Sequence, residues 1–229
     1  MIIVTGCGRS GTSAVAGMLH RSGIAVGHDL IPPDEHNADG YFEERAVVQI
    51  NDAIISATPL IGRFANPSRE EIVAAAELHA EAMRELVDGA TPAWKDPRFC
   101  WTIEAWLPAF REQPRIVVCL RSPAEVVAST MRYYGMSTDE DERSVIHTWR
   151  TENERLLDII ESRALPATVV EFEGLIADPE AVARELGAFV GEPLIPGVRS
   201  ELRHHRARMI DELRPVYERV RSLGTRVSS

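Results

Sequence analysis

Met1-Ile-Ile-Val-Thr-Gly-Cys-Gly-Arg-Ser-Gly-Thr-Ser13 opens the chain, an apolar run feeding straight into a glycine-spaced loop. Ile2–Thr5 reads as a strand. Gly6 and Gly11 bracket four residues, and a helix follows over Ser10–Ser22 with Val15, Met18 and Leu19 on one face. Glycines so placed let successive backbone N–H groups close on an anion, and the helix start behind them adds partial positive charge. The alternative is an ordinary strand-to-helix turn.

Outward from this stretch, strand and helix patterns alternate, which predicts an α/β fold with a central parallel sheet flanked by helices. Helices are expected over Glu43–Ser56, from Ser68 (N-cap, with Glu71 at N3) to about Asp88-Gly89, and over Ile103–Phe110, Pro123–Tyr133, Asp139–Arg163, Asp178–Val190 and Arg203–Leu223. Further strands are expected over Ala93–Lys95, Arg115–Leu120 and Ala167–Phe172; the second of these is apolar throughout, as a central parallel strand is. Trp149, Leu156 and Ile160 are core candidates. No repeat or composition break divides residues 1–229, so a single domain is expected, with length enough for a proper core.

Composition narrows the function classes. The chain has 229 residues, 45% of them hydrophobic, and a net charge of −10, which argues against a general nucleic-acid binder. Anionic ligands must then be held by local cations. No apolar run approaches the roughly 18 residues of a membrane span, and no signal-peptide pattern precedes Ile2–Val4, so a soluble, cytoplasmic protein is expected. Cys7, Cys100 and Cys119 have no metal-like spacing and read as small buried residues. Of the 25 basic residues, Lys95 alone is lysine. In a chain that otherwise uses arginine, the lone lysine is the one most needed as a compact ammonium.

The loop matches the nucleotide-binding P-loop, with one change. Thr12 stands where an NTPase has its lysine, and the cation, Arg9, sits three residues earlier. In this form Arg-Ser-Gly-Thr-Ser (9–13) resembles the 5′-phosphosulfate loop of sulfotransferases that use 3′-phosphoadenosine 5′-phosphosulfate (PAPS), many with lysine in the loop and a bacterial branch with arginine. The resemblance implies a three-layer fold like that of P-loop NTPases and assigns the donor to Gly8, Arg9, Ser10, Gly11, Thr12 and Ser13. A second segment, Leu120-Arg-Ser-Pro followed by Ser129, is similar to the family's 3′-phosphate motif. Arg121 stands at a strand's carboxyl edge and Ser129 about two turns down the next helix, placed to share one anion. A third, Val169-Val-Glu-Phe-Glu-Gly-Leu-Ile-Ala-Asp-Pro179, resembles a family stretch whose role is architectural: Glu173 capping or pairing, Asp178 capping a helix, Pro179 at N1. Arg203, with Arg199, falls where the family often adds a donor contact; an amphipathic surface is the other reading.

The resemblance implies sulfuryl transfer to a hydroxyl of a small molecule, sugar or lipid, with 3′-phosphoadenosine 5′-phosphate (PAP) as product and no metal required. Arg9 and Lys95 are expected to stabilise charge. Trp94-Lys-Asp-Pro-Arg98 also resembles a bacterial sulfotransferase segment, with Asp96 and Arg98 towards the acceptor; a surface salt bridge is the alternative. Gly40-Tyr-Phe-Glu-Glu-Arg45 resembles the segment that carries a glutamate base, which points to Glu43 or Glu44, beside Tyr41 and Phe42 as acceptor contacts. Complementation of a helix N-terminus is the alternative for the two acids. Asp96, His28 and His36 are reserve bases. Segments 27–43, 57–70 and 133–145 are expected around the acceptor. The rival readings are a P-loop small-molecule kinase using ATP and Mg²⁺, and a non-catalytic nucleotide-binding module.

Overall fold

The computed structural model describes residues 1–58, 67–89, 91–197 and 209–224. Four strands, β1 (Ile2–Thr5), β2 (Ala93–Lys95), β3 (Arg115–Leu120) and β4 (Ala167–Glu171), form an all-parallel sheet in the order β2-β1-β3-β4. Ile2 pairs with both Ala93 and Arg115, so the sheet is in register through its centre. From β1 the chain steps to one side to make β2, then crosses to the other side for β3. The switch point therefore lies between the carboxyl ends of β1 and β3, where ligands of open parallel sheets bind.

Alternation along the strands splits the core into two layers. Ile3, Trp94, Ile116, Val118 and Leu120 face helices α2 (Arg45–Ser56), α3 (Arg69–Ala76), α4 (Ala80–Asp88), α5 (Phe99–Trp106), α6 (Pro123–Tyr134), α7 (Asp139–Ser162) and, later in the chain, Arg214–Ser222. Ile2, Val4, Val117, Cys119 and Val170 face α1 (Thr12–Arg21), α8 (Phe172–Ala177) and α9 (Pro179–Val190). Arg214–Ser222 is α10. All three cysteines are buried, as are Trp149, Leu156 and Ile160. Among the described residues, no helix is long and apolar enough to cross a membrane.

The helix starts follow their capping chemistry. Ser68 and Glu71 form the expected capping box, Pro123 opens α6 at its first turn, and Asp178 accepts from Ala181 N ahead of Pro179. Several boundaries depart from expectation. The helix expected up to Asp88-Gly89 is interrupted by a 3-10 turn at Glu77–His79, where Leu78 stands 87% exposed, off the stripe of Ile72, Ala76 and Met83. Instead of Ile103–Phe110, α5 starts at Phe99, and Pro108 confines the rest to a 3-10 turn at Leu107–Ala109. Seven of the eight residues of α5 are buried, so the segment has no amphipathic stripe to mark its start. Phe172 belongs to α8 rather than to β4. Of the C-terminal helix expected over Arg203–Leu223, the stretch 203–208 lies outside the described residues, and beyond it α10 begins only at Arg214, after a 3-10 turn at Asp211–Leu213.

A buried acid ties the helical layer together. Glu104 of α5 accepts from Arg69 through both oxygens and from Arg163 Nη2 at 3.0 Å. Hydrogen bonds from Arg69, then the Arg163 partner, hold its carboxyl below the ordinary range against the opposing effect of burial. Because the folded pKa is depressed, this stabilisation is present above the ordinary carboxylate value and lost as pH falls through the folded one. Glu104→Gln is expected to cost about 1–3 kcal/mol at pH 7. In urea melts at pH 7 and pH 3, the gap to the parent chain should shrink at the lower pH.

Candidate functional site

The loop after β1 is shaped by two close approaches. Gly6 has φ 142°, and a Cβ there would lie 2.3 Å from the Cys119 carbonyl oxygen of β3. Gly11 has φ 95°, and a Cβ there would lie 2.5 Å from the Phe172 ring. Neither position has room for a side chain. Ser10 Oγ donates to the Cys7 carbonyl at 2.6 Å and closes the loop, while Arg9 holds the left-handed conformation at φ 68°. With Gly11 as N-cap, α1 has no side-chain cap, so its first N–H groups point to the loop mouth. Thr12 is buried at that start; Gly8 is exposed at the crest.

Across the switch point, the carboxyl end of β3 brings its own cation. Arg121 donates through Nη1 to the Arg9 carbonyl at 3.3 Å, pairs through Nε with Glu125 at 2.8 Å, and lies 4.5 Å above the Phe172 ring. Arg9 Nε donates to Ser129 Oγ at 3.2 Å, and its guanidinium lies 5.0 Å over the ring of Tyr133, one turn further along α6. Glu173 accepts from Ser122 N at 2.9 Å and so steadies the start of α6. Loop and helix thus bring Arg9, Arg121 and Ser129 to one place. A cavity of about 770 Å³ opens there, lined by Arg9, Gly11, Ser13, Arg121 and Phe172, with His36 on its rim. A second cavity, of about 900 Å³, lies between β4, α9 and α10, remote from these cations.

A second cluster stands at the carboxyl end of β2. Lys95 Nζ donates to Glu43 Oε1 at 2.5 Å, and Arg98 Nη1 lies 3.6 Å from Glu43 Oε2. Lys95 is 2% exposed. A buried ammonium needs such a counter-charge. Burial works against the Arg98 charge, but Asp96, Asp52 and Glu43 outweigh it and hold the guanidinium's pKa above its ordinary value.

Two of the expected site acids are engaged by the protein itself. Asp96 is fully buried: Oδ1 accepts from Arg98 N and Nη1, and Oδ2 from Asn51 Nδ2 at 2.9 Å. It anchors the turn that carries Lys95 and Arg98. Glu44 accepts from the backbone N–H groups of His28 and Asp29, at 2.6 and 3.1 Å, and holds the 27–29 loop. As the residue before α2 it meets different partners from its neighbour Glu43. Tyr41 places its hydroxyl on Asp34, and burial, then Asp34, push its phenol above the ordinary range. Phe42, at φ 56°, packs on α1 beside His20 with 5.6 Å between ring centroids. Arg203 and Arg199 lie outside the described residues.

Asn51 gave no signal in the sequence. It is fully buried on α2 and accepts from Thr102 Oγ1 at 2.8 Å and Trp106 Nε1 at 2.9 Å while donating to Asp96. An asparagine among Ile50, Ile54 and polar neighbours carries no mark of its partners, which are more than 40 residues away.

Comparison with known proteins gives the family and the fold. A model of the sulfotransferase family matches residues 2–196, and the chain belongs to that family. The sulfotransferase domain from the Synechococcus PCC 7002 olefin synthase is similar in structure, with a TM-score of 0.52 at 17% identity, covering 97% of this chain and 87% of that one. That likeness supports the fold: a three-layer, P-loop-like α/β domain. No curated protein matches the chain.

Removing the Asn51 amide leaves Asp96, Thr102 and Trp106 short of partners inside the protein. Asn51→Leu is expected to lower stability by about 3 kcal/mol or more. Denaturant unfolding should show a lower midpoint at unchanged slope.

Proposed function

We propose that this member of the sulfotransferase family moves the sulfuryl group of PAPS to a hydroxyl of a small molecule, sugar or lipid. The observation that carries the reading is the meeting of Arg9, Arg121 and Ser129 at the switch point, beside an uncapped helix N-terminus. These donors suit a nucleotide with anions at both its 5′ and 3′ ends. Arg9, Thr12 and the N–H groups at the start of α1 are the 5′ partners, and Arg121 with Ser129 the 3′ partners. The Phe172 ring, with Arg121 over it, offers a flat wall for a base. The cavity of about 770 Å³ is of a size for such a ligand.

When bound, the donor supplies an activated sulfuryl group, and displacement at sulfur builds negative charge on the leaving and equatorial oxygens. Positioning and charge stabilisation then supply most of the catalysis, as in phosphoryl transfer. Arg9 neutralises charge from the loop side. Lys95 presents a compact ammonium from the end of β2. Glu43 and the buried Asp96 fix Lys95 and Arg98 before substrate arrives, so little reorganisation is needed during reaction. In this account Glu43 is a positioning residue, its oxygens engaged by Lys95 and Arg98.

The test is transfer from ³⁵S-labelled PAPS to a panel of phenols, sugars and lipid alcohols. Lys95→Ala is expected to lower turnover by about 10²–10³-fold, the scale of a lost charge-stabilising donor, with PAP affinity unchanged by calorimetry. Equal turnover in Lys95→Ala would remove Lys95 from the chemistry, and absence of labelled product across the panel would count against sulfuryl transfer.

A further inference from the structure

Glu125 sits in the first turn of α6, beside the cluster of Arg9, Arg121 and Ser129. An acid at the third position of a helix ordinarily serves the helix start. It reaches back to the N-cap N–H or meets the partial positive charge there. Here the N–H of the N-cap, Ser122, donates to Glu173 of α8 at 2.9 Å. Glu125 turns to Arg121 instead, and its Oε2 accepts from Nε at 2.8 Å. Both side chains are only 11% exposed, so this pair is shielded from the solvent that weakens surface ion pairs.

Helix geometry fixes where this acid stands relative to the 3′ partners. Glu125 and Ser129 are four residues apart and share one face of α6 with Tyr133. Along that face the acid meets Arg121, the Ser129 hydroxyl accepts from Arg9 Nε, and the Tyr133 ring lies under the Arg9 guanidinium. Glu125 therefore touches one of the two groups assigned to the 3′-phosphate and stands one turn from the other. Phe172 covers a face of the Arg121 guanidinium, and the Arg9 carbonyl engages Nη1. An anion that reaches both Arg121 and Ser129 thus comes up beside a carboxylate that already shares the cation. Two negative groups then share one guanidinium, and their repulsion is strong because the site is partly closed to water.

We propose, resting on the sulfuryl-transfer reading above, that Glu125 limits how tightly the 3′-phosphate is held and so sets the rate at which PAP leaves. In the ligand-free protein it holds Arg121 in the cradle and neutralises it. With nucleotide bound it opposes the 3′-phosphate. It does so for donor and product alike, because that phosphate does not change in the reaction. Extra affinity for an unchanging group lowers KM without speeding the transfer itself. It also holds the product, which keeps anions at both its ends. A counter-charge beside Arg121 shortens the residence of PAP and leaves the cations near the reacting group untouched.

The affinity and dissociation rate of PAP test this on the full chain, with ADP, which lacks the 3′-phosphate, as the reference ligand. Glu125→Gln keeps an oxygen for Arg121 Nε and removes the charge. It is expected to tighten PAP by about 10–100-fold, chiefly through slower dissociation, while ADP affinity changes little. Glu125→Asp, which keeps the charge, should stay close to the parent chain. Retained ADP binding shows that each variant has folded. An acid that merely props Arg121 would give the reverse order, with PAP weaker in Glu125→Gln and weaker still in Glu125→Ala. A second comparison does not depend on the ion pair. In an Arg121→Ala background the repulsion remains, so adding Glu125→Gln should still raise PAP affinity above that of Arg121→Ala alone. PAP bound no more tightly by Glu125→Gln than by the parent, an unchanged dissociation rate, or no gain in the Arg121→Ala background would overturn the proposal. A parent chain that holds PAP no better than ADP would instead overturn the reading of the cradle beneath it.

Discussion

The contact between Gly6 and the Cys119 carbonyl is the constraint on which the rest of the site depends. The chain leaves β1 so close to β3 that a Cβ would sit 2.3 Å from that oxygen. This approach turns the loop back over the switch point, lets Ser10 close it onto Cys7, and starts α1 with its N–H groups aimed at the mouth. It also sets the loop beside the end of β3, so that Arg121 reaches the Arg9 carbonyl. Two cation-bearing turns from strands more than 100 residues apart meet because their carboxyl ends are neighbours in a parallel sheet.

The second half of the site depends on a different kind of order. Lys95, Glu43, Arg98 and Asp96 are charges held inside or at the edge of the protein, each paired, and pairing is what makes their burial tolerable. Asn51 extends this network from Asp96 to Thr102 and Trp106, so α2, α5 and the end of β2 are fixed against one another. A site that stabilises developing charge gains most when its dipoles and cations are set before the reaction.

Much of this was legible in the sequence where a residue's role is local. Glycine spacing, the box of Ser68 and Glu71, Pro123 and Pro179 at helix starts, and the apolar run of β3 each act through near neighbours. Legibility ended where tertiary geometry chose. Glu43 and Glu44 are adjacent acids of the same type, yet one meets Lys95 and the other the 28–29 backbone, because the turn into α2 sends successive side chains apart. The α5 boundary was hidden by burial on every face. Asp96 gave no sign in the sequence of its buried partners Arg98 and Asn51. Asn51 acquires its meaning from partners about 50 residues distant, which no spacing encodes.

The central claim is that the cradle is built for a nucleotide carrying a 3′-phosphate, and calorimetric titration tests it most directly. PAP, ADP, AMP and ATP with Mg²⁺ are compared on the parent chain and on Arg121→Ala. The account predicts that PAP binds far more tightly than the other three and that this preference disappears in Arg121→Ala. Equal binding of ADP and PAP, or a preference for ATP with Mg²⁺, would contradict it and favour a phosphoryl-transfer enzyme on the same fold.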